Sequence, residues 1–173
     1  MENYHDALPM FKKIEAADPN NANVNYHIGV CYLHMPSEKH NAIPYLEKVT
    51  DHVSKEYVDN PEEKNVPVRA FFELGTAYLL NYDLAKAIES TEKYKSFLDE
   101  NVETDKNNRK QADRQIAMCH VAREMLKYPI PITVENLGAH VNTSYPEYSP
   151  AIVLDGNTLL FTARRGVNVG DLI

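Results

Sequence analysis

The sequence predicts a mainly α chain: a superhelix of helical hairpins over residues 1–128, then an extended segment and a β-hairpin over residues 129–173. Three observations predict it. Leu74-Gly75-x-x-Tyr78, with Ala87 nine residues after the tyrosine, sets a glycine, an aromatic ring and a small residue where two helices can approach closely. Ile28-Gly29-x-x-Tyr32, followed by Ala42, repeats that pattern upstream. At Tyr128-Pro129-Ile130-Pro131 the helical period stops, and Asp155-Gly156 further on separates two apolar, β-rich runs, a strong hairpin signal.

In residues 4–19, Ala7, Phe11 and Ile14 recur on one helical face, and Asp18-Pro19 ends the helix because the residue before a proline avoids the α region. This reads as a second helix without its first, so the chain is expected to begin in mid-repeat. Residues 22–35 form the next first helix, Met35-Pro36-Ser37-Glu38 the turn, and Ala42, Leu46 and Val49 mark its partner. Pro44 stands two residues after Ala42 as Pro9 stands two after Ala7, so both are expected in a first helical turn, where a missing N–H costs nothing. Gly29 and Gly75 are 46 residues apart, against about 34 for a compact hairpin repeat. The excess is a polar insertion, residues 54–67 with Asp59-Asn60-Pro61-Glu62-Glu63, expected to hold an extra turn or an extended first helix.

The third hairpin spans Phe71 to about Leu98, broken at Asn81-Tyr82-Asp83, where Asp83 is the expected N-cap. Thr91 stands where Phe11 and Leu46 stand, which predicts looser packing. Residues 101–108 read as a charged loop and 109–127 as a capping helix, with Ala112, Ile116, Cys119, His120, Arg123 and Leu126 as its periodic positions. Ile132-Thr133-Val134 alternates as a strand would, and Asn136-Leu137-Gly138 and Asn142-Thr143-Ser144 read as turns. Two or three strands do not make an independent sheet, so this end is expected to be a fragment of a larger β domain. Its exposed edge could pair with a second copy and give a fragment dimer.

Composition narrows the function classes. The net charge is −7 with acids and bases interspersed, and no basic stripe marks a nucleic-acid partner. No apolar run is long enough to span a bilayer. The N-terminus, Met1-Glu2-Asn3-Tyr4-His5-Asp6, lacks the regions of a signal peptide. Cys31 and Cys119 fall on apolar helix faces and read as buried thiols. The seven histidines show no metal-ligand spacing, and His34 and His40 flank a turn. No phosphate loop or nucleophile elbow occurs, and Asp155 alone offers too few oxygens for calcium. The sequence therefore offers no catalytic, cofactor or metal site.

The Leu74-Gly75-x-x-Tyr78 and Ile28-Gly29-x-x-Tyr32 units resemble tetratricopeptide repeats. The C-terminal stretch resembles a WD-like (TolB-type) β-propeller repeat through Asn136-Leu137-Gly138, Asn142 with Ser144, Tyr145 with Tyr148 and Pro150, Asp155-Gly156, Leu159, Phe161 and Arg164-Arg165. Repeats followed by such a propeller and an OmpA-like peptidoglycan-binding domain are the layout of a Bacteroidetes envelope family, some of whose members serve type IX secretion and gliding. The resemblance implies a periplasmic, outer-membrane-associated scaffold. It reaches peptidoglycan only through a C-terminal domain that residues 1–173 do not contain.

In such a stack the first helices line a concave face. The positions flanking Gly29 and Gly75 are then Asn23, Tyr26, Val30 and Leu33, and Arg69, Phe72, Thr76 and Leu79. The last helix adds Gln111, Arg114 and Met118. A groove of Tyr26 and Phe72 flanked by Arg69 and Arg114 can hold an extended peptide or a partner helix. The same groove can instead be filled by the chain's own tail or insertion. The reading is a non-enzymatic protein-interaction scaffold. The alternatives are a repeat domain supporting a propeller-containing hydrolase and a peptide-binding adaptor.

Overall fold

A computed structural model describes residues 4–60, 62–154 and 156–164, with the backbone of 171–172. The chain is mainly helical and divides into two compact units, residues 1–129 and 130–173. The first holds six α-helices among its described residues: α1 (Tyr4–Ala17), α2 (Ala22–Leu33), α3 (Ala42–Lys48), α4 (Ala70–Leu80), α5 (Leu84–Ser96) and α6 (Glu103–Lys127). Each packs on the next, α2 also meets α4, and α4 meets α6.

Local chemistry sets the helix ends. Asn21 caps α2, its side chain accepting the Val24 N–H at 3.1 Å, and Asp83 caps α5 by accepting the Lys86 N–H at 3.3 Å. Pro44 does lie in the first turn of α3, but Pro9 lies beyond the first turn of α1 and forfeits the bond to the His5 carbonyl. Only part of the α1 stripe turns inward. Ala7 and Phe11 are half-buried, whereas Ile14 is exposed.

The main core runs through α2, α3, α4 and α5. Ala42, Leu46, Val49, Val66, Ala70, Ala77 and Ala87 are fully buried there beside Leu74 and Cys119. The two repeated glycines sit at its tightest points. A Cβ on Gly29 would come within 2.7 Å of Leu46 Cγ, and one on Gly75 within 2.5 Å of Thr91 Oγ1. The insertion adds no helix. It leaves α3 through β1 (Val53–Ser54) and returns through β2 (Val66–Pro67), a two-residue parallel bridge that buries Val66. Between them, both oxygens of the Glu63 carboxylate accept backbone N–H groups, from Val58, Lys64 and Asn65. Pro61 lies outside the described residues.

The last helix ends at Lys127 as expected but differs at its start and in its buried stripe. It starts at Glu103, within the stretch read as a charged loop, because Glu103 and Asp105 put negative charge in its first turn. Asp105 accepts the Asp99 N–H at 2.9 Å, and Arg109 reaches back to the carbonyls of Lys95 and Leu98 and to Glu100. Its buried stripe is Ala112, Gln115 and Cys119, so His120, Arg123 and Leu126, expected on that stripe, point to solvent.

The second unit is a sheet of β3 (Glu147–Ile152), β4 (Leu159–Ala163) and β5 (Asp171–Leu172), in that order and antiparallel throughout. Gly156 takes φ +71°, as the hairpin turn requires, while its neighbour Asp155 lies outside the described residues, as does Arg165. Between Tyr148 and Ala151 the register slips, with Ser149 at φ +56° and Pro150 offering no N–H. Such a bulge blunts an edge strand. Asn136, Gly138 and Asn142 are joined in one turn, in which Asn136 Oδ1 accepts Gly138 N–H at 2.7 Å and Asn142 Nδ2 at 2.8 Å. Ile132-Thr133-Val134 forms no strand and Val134 is exposed, since no described segment pairs with it.

Candidate functional site

A cleft of about 620 Å³ opens between α1, α2, the insertion and the start of α4. Two ring pairs hold α1 against α2 and form one wall. Phe11 stacks on His27 at 5.0 Å and Tyr4 on His34 at 4.1 Å, both nearly coplanar. They meet because His27 on α2 and His34 at its C-cap stand about two helical turns apart, and Val30 and Cys31 between them also line the cleft. The insertion supplies Tyr57 and Asp59, and α4 supplies Arg69 and Glu73 around its N-terminus.

Asn23 and Tyr26 were expected exposed, and both are buried, at 6% and 8% exposure. Tyr26 belongs to the main core, and Asn23 is covered by the insertion. The Tyr57 hydroxyl lies 3.2 Å from both Asn23 Oδ1 and Asp59 Oδ1 and donates its one proton to either. The groove floor is thus partly covered by the chain itself, and what stays open is the cleft above Tyr26.

The charge pattern also differs from the basic groove expected. Arg69 Nε donates to Glu73 Oε1 at 2.8 Å, one helical turn on, and its guanidinium lies 5.0 Å from the centre of the Phe72 ring. Burial raises the Tyr26 pKa strongly, and Glu73 adds to the shift. Tyr57 is pushed up to about 12, first by desolvation and then by the Asp59 carboxylate beside it. Burial lowers the His27 pKa against the smaller pull of Asp59, and raises that of the Cys31 thiol. Near neutral pH the phenols and thiol keep their protons and His27 is uncharged, which suits the cleft to contact and hydrogen bonding.

Of the residues proposed from sequence, the structure collects Tyr26, Val30 and Arg69 around one cleft, with Asn23 beneath Tyr57. Phe72 reaches it only through Arg69, and packs on Tyr94 at 5.5 Å. Thr76 turns toward α6, its hydroxyl 3.0 Å from the Phe72 carbonyl and 3.2 Å from Gln115 Oε1. Arg114 and Met118 are exposed on α6 and do not line the cleft. Sequence reasoning missed Tyr4, Phe11, His27, Tyr57, Asp59 and Glu73 as lining residues. The Arg69–Glu73 spacing of four was a readable signal. The return of Tyr57 and Asp59 over α2 was not, because no local pattern fixes the path of an irregular insertion.

A second polar feature lies at Gly75. Gln115 Nε2 donates to Thr91 Oγ1 at 3.1 Å and approaches the Phe72 carbonyl at 3.4 Å, while Thr91 donates to the Ala87 carbonyl at 2.7 Å. Thr91 is fully buried, so the looser packing expected there is replaced by a tight, hydrogen-bonded junction.

Among the described residues, no cluster of three or more His, Cys, Asp or Glu side chains is placed to hold a metal ion, and no helix is long and apolar enough to cross a membrane. No protein-family model matches the chain, and no curated protein matches it. The resemblances above rest on their motif residues alone.

Proposed function

We propose that this chain is a non-enzymatic protein-interaction module that docks an extended peptide in the cleft between α1, α2 and the insertion. The observation that carries the reading is the cleft itself: a volume of about 620 Å³ walled by stacked aromatic pairs and rimmed by fixed charges, which is the character of a recognition surface. In finer terms we read the helical unit as a tetratricopeptide-type superhelix. The sequential packing of α1 to α6 and the close approaches at Gly29 and Gly75 support that reading. We read the second unit as part of a WD-like propeller blade, supported by the β3–β4 hairpin and the turn that joins Asn136, Gly138 and Asn142. On this reading the protein is a periplasmic, outer-membrane-associated scaffold, with peptidoglycan contact supplied by a further domain.

The docking reading is tested by selecting phage-displayed random linear peptides on the full chain. Recovered peptides are expected to lose at least about tenfold in affinity with Val30→Trp, which fills the cleft. Unchanged circular dichroism would verify that the variant folds. Binding that survives Val30→Trp and fails with Arg114→Glu would overturn the reading. The scaffold reading is tested by the reading frame beyond Ile173. Further Asp-Gly-x-x-Leu-x-Phe blades and an OmpA-like end agree with it, whereas a hydrolase domain contradicts it.

A further inference from the structure

We propose that the cleft takes the cationic side chain, Lys or Arg, of an extended partner peptide, a specificity that rests on the docking reading above. The argument begins with the charges on the rim. One cation, Arg69, faces two carboxylates, Asp59 and Glu73. Arg69 is engaged by Glu73 at 2.8 Å and lies against Phe72, so it has little charge to offer an acidic ligand. Asp59 takes part in no ion pair among the described residues and has the neutral Tyr57 hydroxyl at 3.2 Å. The balance of the cleft is negative, and a cation is the ligand that complements it.

The phenols register the same field. Glu73 and, more weakly, Asp59 help to raise the Tyr26 pKa against the opposing pull of Arg69, and Asp59 raises that of Tyr57. Glu73 and Asp59 line the same cleft as Tyr26, where both can act on a charge placed beside it. His27, held neutral by burial, adds no opposing charge. The ring faces contribute as well, since a guanidinium or ammonium is attracted to the faces of Tyr26 and Tyr57. The aliphatic stem of Lys or Arg matches Val30 and Ala7, which line the same cleft. An acidic side chain would meet carboxylates without a free cation, and a neutral one would gain the apolar contact alone.

Fluorescence anisotropy with three labelled peptides tests the proposal. They share one alternating proline–alanine backbone and differ at the central residue, which is Arg, norleucine or Glu. The Arg peptide is expected to bind the full chain at least about tenfold tighter than the norleucine peptide, and the Glu peptide weakest. The Arg advantage over norleucine is expected to vanish in Asp59→Asn/Glu73→Gln. It is also expected to shrink as salt rises. Equal binding of Arg and norleucine peptides overturns the cationic preference and leaves docking standing. Failure of all three to bind overturns the docking reading with it. An Arg advantage that survives in the double variant overturns the assignment to Asp59 and Glu73.

Discussion

At Gly29 the neighbouring helix presses a leucine into the space a side chain would take, whereas at Gly75 it presses a threonine hydroxyl. The backbone solution is the same, and the chemistry filling it is opposite. Leu46 needs only shape, and it sits in one apolar core that α2 and α3 share with α4 and α5. Thr91 is fully buried and polar, so its site is complete only when Gln115 of α6 donates to it. The close approach at Gly29 is therefore met by shape alone, and that at Gly75 needs a donor from the helix after it. A buried polar group at such a junction must find its partner, where an apolar one needs only fit.

The largest effect that separates the two junctions is truncation of the peg. Leu46→Ala is expected to cost about 3 kcal/mol, transfer plus cavity, and Thr91→Val about 1 kcal/mol, a lost hydrogen bond with little lost volume. Urea unfolding measures both, and equal costs would erase the contrast. Next come the glycines. Gly29→Ala and Gly75→Ala are each expected to cost about 2 kcal/mol by overpacking. Gly75→Ala combined with Thr91→Ala should cost less than the sum by about 1 kcal/mol, because the partner has made room. Additive costs would show that the close approach is not what the glycine serves.

Smaller effects come from the caps. Asn21→Ala and Asp83→Ala should each cost about 1 kcal/mol, one in each hairpin, by thermal unfolding. The smallest effect concerns the insertion. Backbone N–H groups hold the Glu63 carboxylate below its ordinary value of 4.5. Its folded pKa is depressed, so its contribution is fully present above 4.5 and is lost as pH falls through the lower folded value. Protection of the Val58, Lys64 and Asn65 amides, taken relative to their intrinsic exchange rates, should fall over that window in the wild type. Glu63→Gln should flatten the dependence, and an unchanged profile would show that the loop is held by other contacts.

Much of the helical unit was legible because its signals are local. Gly29 and Gly75 marked the close approaches and Asp83 marked a cap, and in the second unit Gly156 marked a hairpin. The failures share a cause. A period drawn through Ala112, Ile116 and Cys119 passes over Gln115 and takes in His120 and Arg123. The burial of Gln115 is decided by Thr91, far away in sequence. Residues 103–108 lack apolar residues, yet acids at the helix start and Arg109 on the carbonyls of α5 hold them helical. Asn23 and Tyr26 lie on α2 as expected but are buried, Asn23 because the insertion folds back onto it and Tyr26 within the main core. The cleft was half legible for the same reason: its α2 and α4 walls follow the repeat, and its rim follows an irregular segment.

The most direct test of the cleft is hydrogen–deuterium exchange on the full chain, with and without the Arg-bearing peptide at saturation. Docking between α1, α2 and the insertion predicts slowed exchange confined to residues 4–11, 26–34 and 57–73. Protection centred on residues 111–118 of α6, with none in α1 or the insertion, would contradict it and return the binding face to the groove expected from sequence.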